Sequence, residues 1–132
     1  MAKVEAIVGR ALRLIHVVDP RQPVQPIDMQ TGITALNAMC RRWEANGMAI
    51  GWSDVSAPDQ DMPVPGESEE AIAFNLAATL APEYDQMPSP VVLTAAARGL
   101  SELRRDVAVA NPLSPDRGVI GWGYDTRTDS YC

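Results

Sequence analysis

Apolar residues fall along the chain in stretches whose spacing predicts four helices. In the first, Val4, Ile7, Val8, Ala11, Leu12 and Ile15 recur at intervals of three and four, so one face of a helix at about 3–16 is apolar. Pro20, Pro23 and Pro26 then forbid helix and mark an extended connection. In the second stretch, Met29, Ile33, Leu36, Cys40 and Trp43 step by four, three, four and three, with Met39 widening the stripe and Asp28 placed to cap it. Asn37, Arg41, Arg42 and Glu44 fall off the stripe and predict a solvent side, and Gly47 stands where a left-handed residue ends a helix. This stretch, 29–52, reads as the one around which the chain is organised. Its last five residues, Met48, Ala49, Ile50, Gly51 and Trp52, are too few for another helix and suggest a corner folded onto the core.

A connection of about a dozen residues follows, longer than compact domains usually carry. Ser68 is placed to cap a third helix running to about Leu80, with Glu69 and Glu70 favoured at its start by the helix dipole and Ile72, Ala73, Leu76, Ala77 and Leu80 as its core stripe. Its alanines let another helix approach closely, and Ala81-Pro82 closes it. Ser89-Pro90 opens a fourth helix, proline being suited to the first helical position. Val92, Leu93, Ala96, Leu100, Leu103 and Val107 form its predicted buried stripe, Arg98, Glu102 and Arg105 its solvent face, and Asn111-Pro112 its stop. Beyond it the pattern changes. At 118–124, Ile120, Trp122 and Tyr124 alternate with Val119, Gly121 and Gly123 as in a strand, whose partner is either 48–52 of the same chain or another subunit.

Composition agrees with helices. Of 132 residues 46% are hydrophobic but only 5% aromatic, which favours a packed helical protein over a β-sandwich and fits one domain. The fold class expected is all-α: a small four-helix bundle-like domain at 1–111 with a long acidic loop, and an extended C-terminal arm at 112–132 carrying the short strand pattern. No run of about 18 apolar residues and no basic stretch leading into an apolar segment occurs, so neither a membrane span nor a signal peptide is read and the chain is expected to be soluble and intracellular.

Charge sharpens the picture once it is located. Seventeen acids face 11 bases. Asp54, Asp59, Asp61, Glu67, Glu69 and Glu70 crowd one segment that holds no base, and the rest of the chain is balanced. A surface of that sign does not attract phosphate, which argues against a nucleic-acid reader. Candidate chemistry is sparse. His16 has no Cys or second His near it and reads as a helix-end residue, Cys40 as a small buried hydrophobe, and Cys132 as a terminal residue, so no metal site and no cofactor are expected. Asp59 and Asp61 lack the glycine and glutamate that a calcium-binding loop needs. No nucleophile sits beside a base, so no catalytic residue is assigned and an enzyme is not expected.

The pattern Leu36, Met39, Trp43, Gly47, Gly51, Trp52, followed after a long loop by Asn75-Leu76-Ala77, Leu80-Ala81-Pro82 and Glu83-Tyr84, resembles the head-to-tail adaptor proteins of tailed phages, in particular the packaged-DNA stabilisation or tail accessory factor family of short-tailed phages. The resemblance spans roughly 3–110 and keeps the order of the four helices. It implies a structural virion protein of the head–tail interface, assembled in the host cytoplasm, that completes the head by binding the portal protein. It further implies a ring of copies, about twelve, that extends the DNA channel, helps to retain the genome and docks a downstream tail or nozzle protein. DNA would pass without sequence-specific binding, and no membrane is involved. Leu36, Met39, Trp43, Gly47, Trp52, Leu76, Pro82 and Tyr84 transfer as core and turn positions. Val119, Ile120, Trp122 and Tyr124 are the expected contacts to the portal or a neighbouring copy, and Asp54, Asp59 and Asp61 are expected at the channel or its rim, where they would repel passing phosphate. A non-virion helical interaction module or small oligomeric regulator is the alternative reading.

Overall fold

The structure, a computed structural model, describes residues 2–110 and the strand residues 124–125 and 130–131. Four helices appear in the expected order: α1 (Val4–Leu14), α2 (Pro26–Ala45), α3 (Glu69–Leu80) and α4 (Pro90–Ala110). The fold is all-α, as the periodicity predicts.

In α1 the predicted stripe is buried without exception, from Val4 to Ile15. The helix ends on His16, whose backbone adopts the left-handed region (φ 61°) so that its N–H reaches Arg13 O (3.1 Å) and the next N–H, of Val17, reaches Leu12 O (3.1 Å). The same closure ends α2. Gly47 (φ 89°) donates to Glu44 O (3.1 Å) and Met48 to Trp43 O (3.0 Å), the paired bonds of a Schellman motif. The start of α2 differs from expectation. Pro26 is its first residue, because that position has no N–H to satisfy and proline's φ is already helical. Asp28 therefore lies inside the first turn and is no cap; its carboxylate accepts the Tyr84 hydroxyl (2.9 Å), tying α2 to the corner before α4.

The hub of the domain is α3, which packs against α1, α2 and α4 in turn. Ala71, Ile72, Ala73, Leu76, Ala77 and Leu80 are buried over more than one face, as a helix enclosed by neighbours requires. Ser68 does not cap it. Residues Gly66–Ser68 already form a 3₁₀ turn, which leaves Ser68 in right-handed helical geometry with no side-chain capping bond. After α3 a second 3₁₀ turn, Ala81–Tyr84, ends on left-handed Asp85. Ser89 does cap α4, its Oγ accepting the Val92 N–H (3.3 Å).

On α4, Val92, Ala96 and Leu103 are buried, but Leu93, predicted with them, is 47% exposed. The helix rests mainly on α3, so only a narrow stripe is covered and Leu93 falls outside it. Gly99 explains how close the two helices run: a Cβ there would lie 3.0 Å from the Cα of Ala71. The segment 48–52 forms no strand. Met48 and Ile50 are buried and Gly51 takes a positive φ (77°). Further along, the strand β1 (Tyr124–Asp125) pairs with β2 (Ser130–Tyr131), antiparallel, Tyr124 opposite Tyr131; the rest of the strand predicted at 118–124 lies outside the described residues.

Candidate partner-binding surfaces

The polar side of α2, expected to face solvent, holds the chain that follows it. Asn37, Arg41 and Glu44 stand at intervals of four and three, one line along the helix. Asn37 exchanges two hydrogen bonds with the backbone of Val55, Nδ2 donating to its carbonyl (2.8 Å) and Oδ1 accepting its N–H (3.0 Å). Arg41 forks onto Asp54, Nε to Oδ1 at 2.8 Å and Nη2 to Oδ2. Glu44 Oε1 accepts the Trp52 N–H (2.8 Å). The line thus descends α2 as its partners run back along the chain, Val55, Asp54 and then Trp52, and among the described residues only Arg42 of the four predicted solvent residues is left without such a bond. The spacing was legible; what lay opposite it was not.

From Val55 the chain runs to the start of α1. Lys3, the residue before that helix, makes no side-chain cap, and the first helical donors go to this segment: Val4 N–H to Gln60 O and Glu5 N–H to Pro58 O, both at 2.9 Å. Met62 N–H returns a bond to Ala2 O (3.0 Å), Lys3 pairs with Asp61 (2.8 Å), and Ala2 N–H reaches Glu69 Oε1 (3.1 Å). Val55, Met62 and Val64 are buried in the core. The long acidic loop is therefore a strap across the core, because three apolar side chains and a set of carbonyls give it somewhere to bind.

The pairing changes the electrostatics of the three predicted rim acids. The Arg41 hydrogen bond holds the Asp54 carboxyl below its ordinary 3.8 against the opposing effect of burial, and the Lys3 hydrogen bond and charge do the same for Asp61. Asp59 has no ion-pair partner among the described residues. A carboxylate whose folded pKa is depressed contributes stability above its unfolded value and loses it as pH falls through the folded one. Asp54→Asn is accordingly expected to lower Tm slightly at pH 7, and the gap from the wild type to close below pH 3.8. A gap that persists unchanged at pH 2 would mean that the Arg41 pair is not its source.

Other features are exposed elsewhere on the domain. A groove of about 160 Å³ between α3 and α4 has Ala71, Ala95 and Gly99 in its lining, with Glu67, Glu70, Glu102 and Asp106 about it and Arg98 among them. Arg10 of α1 stacks over the Phe74 ring there (5.2 Å) and lies 3.7 Å from Glu70. Ile27, Met87 and Val91 are large apolar residues more than 70% exposed, near the start of α2, the corner after α3 and the start of α4. Nothing in the sequence periodicity set them apart, since an exposed apolar residue looks like any other until its neighbours are placed.

Of the motif residues, Leu36 and Leu76 are fully buried and Met39 nearly so; Trp43, Trp52 and Tyr84 are half-buried and Pro82 is exposed on its turn. Tyr84 accordingly has its phenol pushed up to about 12, by burial and by its bond to Asp28. Among the described residues the buried Trp52 indole N–H makes no hydrogen bond of good geometry, the Asp54 carboxylate being the acceptor it approaches. Val119, Ile120 and Trp122 lie outside the described residues, and Tyr124 enters only through its backbone pairing in β1. Burial pushes the Cys40 thiol up to about 12, so it stays protonated and unreactive at neutral pH. Among the described residues no three His, Cys, Asp or Glu side chains come together as metal ligands, and no helix is long and apolar enough to cross a membrane.

Comparison with known proteins places this arrangement. No curated protein matches the chain. The P22 tail accessory factor family matches residues 2–129, nearly the whole chain, and the chain belongs to that family. The match extends the resemblance seen in 3–110 through most of the C-terminal arm. The protein is thus a structural, tail accessory component of a phage virion.

Proposed function

We propose that this tail accessory factor is a head-to-tail adaptor: copies assemble as a ring beneath the portal protein, continue the DNA channel, help to retain the packaged genome and present the docking site for the next tail component. Membership of the family over residues 2–129 carries this reading. The division of labour follows from how the chain is built. Residues 1–111 supply a rigid helical body, and the arm at 112–132, with Val119, Ile120, Trp122 and Tyr124, supplies contacts to the portal or to a neighbouring copy. Main-chain pairing and aromatic anchors suit such an arm.

An adaptor must let DNA pass without gripping it. The net charge of −6 supports this, since a negative wall repels phosphate. Asp54 and Asp61 are largely spent on Arg41 and Lys3, so of the three predicted rim acids Asp59 is the one that contributes most to a channel surface. Light scattering of the purified chain, alone and with its portal protein, tests the proposal. The expected result is a monomer or weak associate alone and a ring-sized complex with the portal. A chain that ignores the portal and retards an operator duplex would be a regulator, and the adaptor reading would be wrong.

A further inference from the structure

The bonds between residues 52–64 and the two helices that flank them form a single connected set. At one end Asn37 holds Val55 by both its N–H and its carbonyl. At the other, Gln60 and Pro58 carbonyls take the first N–H groups of α1, and Ala2 takes the N–H of Met62. A helix start leaves its first donors unsatisfied unless something outside the helix accepts them. Lys3 does not do so through its side chain, and its carbonyl takes only the later Ala6 and Ile7 N–H groups, so the first two donors of α1 depend on the strap for their acceptors. The strap in turn is short between its two attachments: six residues, the Pro58 and Gln60 that cap α1 among them, separate Val55 from Met62, and both of those end residues are buried, at 2% and 1% exposure. It cannot release Val55 far without drawing on the carbonyls that cap α1.

We propose that residues 52–64 are a strap that opens and closes as one unit with the first turn of α1, so that the polar line on α2 controls the order of the α1 start. Opening uncovers the apolar surface beneath Val55, Met62 and Val64 while α3 and its contacts stay folded. Local openings of this kind, cheaper than global unfolding, are a general property of segments tied by few bonds to a stable core. The inference stands on the geometry of this chain and does not depend on the adaptor reading.

Amide hydrogen exchange of the full chain, wild type and Asn37→Ala, tests it. The substitution removes both bonds to Val55 and leaves its backbone groups without those partners. Exchange at Val4, Glu5, Val55 and Met62 is expected to accelerate together, by roughly tenfold, the effect of about 1.4 kcal/mol. Amides in the middle of α3, such as Leu76, keep their wild-type rates. Asp54→Ala, which removes a weaker tether at the same end, produces a smaller acceleration at the same four amides and serves if Asn37→Ala folds poorly. Acceleration confined to Val55 overturns the proposal, because the two ends would then open separately. So does equal acceleration at Leu76, because the strap would then have no opening of its own.

Discussion

Leu76→Ala is expected to destabilise the domain by about 2–5 kcal/mol, the range for removing a fully buried leucine and leaving a cavity. Leu76 has no exposed surface and sits on α3, the helix that the other three share. A cavity there cannot be relieved by moving one neighbour without disturbing another. Since small domains have only about 5–15 kcal/mol of stability in all, the loss takes a large part of it. Tm is expected to fall by at least about 10 °C in a thermal melt followed by circular dichroism. Leu93→Ala is the matched control. That leucine lies on α4 and is half exposed, so its removal costs under about 1 kcal/mol. Equal losses for the two variants would show that α4 is rotated from the orientation described here.

Gly32→Ala is expected to destabilise as well, against the usual direction. In a helix interior alanine is preferred to glycine by about 1 kcal/mol, so at an open site the change would help. Here α2 runs against α1 with no space between them: a Cβ on Gly32 would lie 2.2 Å from Cγ1 of Val8. Val8 is fully buried and branched at Cβ, so it cannot swing its methyl away. The helices must separate or Val8 must leave its rotamer, at a cost of about 1–3 kcal/mol. Pairing the change with Val8→Ala makes room for the new methyl. The double variant is expected to be more stable than the sum of the two single effects predicts, which a double-mutant cycle in urea measures. A Gly32→Ala variant more stable than the wild type would place the two helices farther apart.

Both predictions concern places where the linear pattern says little. Gly32 lies between two stripe positions of α2, and a glycine within a helical pattern reads as a weakness until the facing helix is known. Leu93 fits the i, i+3, i+4 pattern of α4 as well as its neighbours do; its exposure follows from how few helices α4 touches. Asn37, Arg41 and Glu44 were legible as a polar line, but polarity signals solvent only when no chain returns to it. The strap returned because Val55, Met62 and Val64, scattered among prolines and acids, are too irregular to register as a periodic element and yet bury as deeply as any helix residue.

Local rules decided what sequence alone determines in this protein: four helices in order, the proline that opens α4, the glycine that closes α2, the buried stripe of α1, and a pair of motifs specific enough to indicate its family. Those rest on neighbours within four residues, whose geometry the helix itself supplies. Tertiary structure alone decided which helix is the hub, that the acidic loop crosses the core as a strap, and which of its acids keep their charge unpaired. Each of those depends on groups far apart in the chain, Asn37 with Val55, Lys3 with Asp61 and Asp28 with Tyr84, and no periodicity records which distant partner a polar side chain will meet.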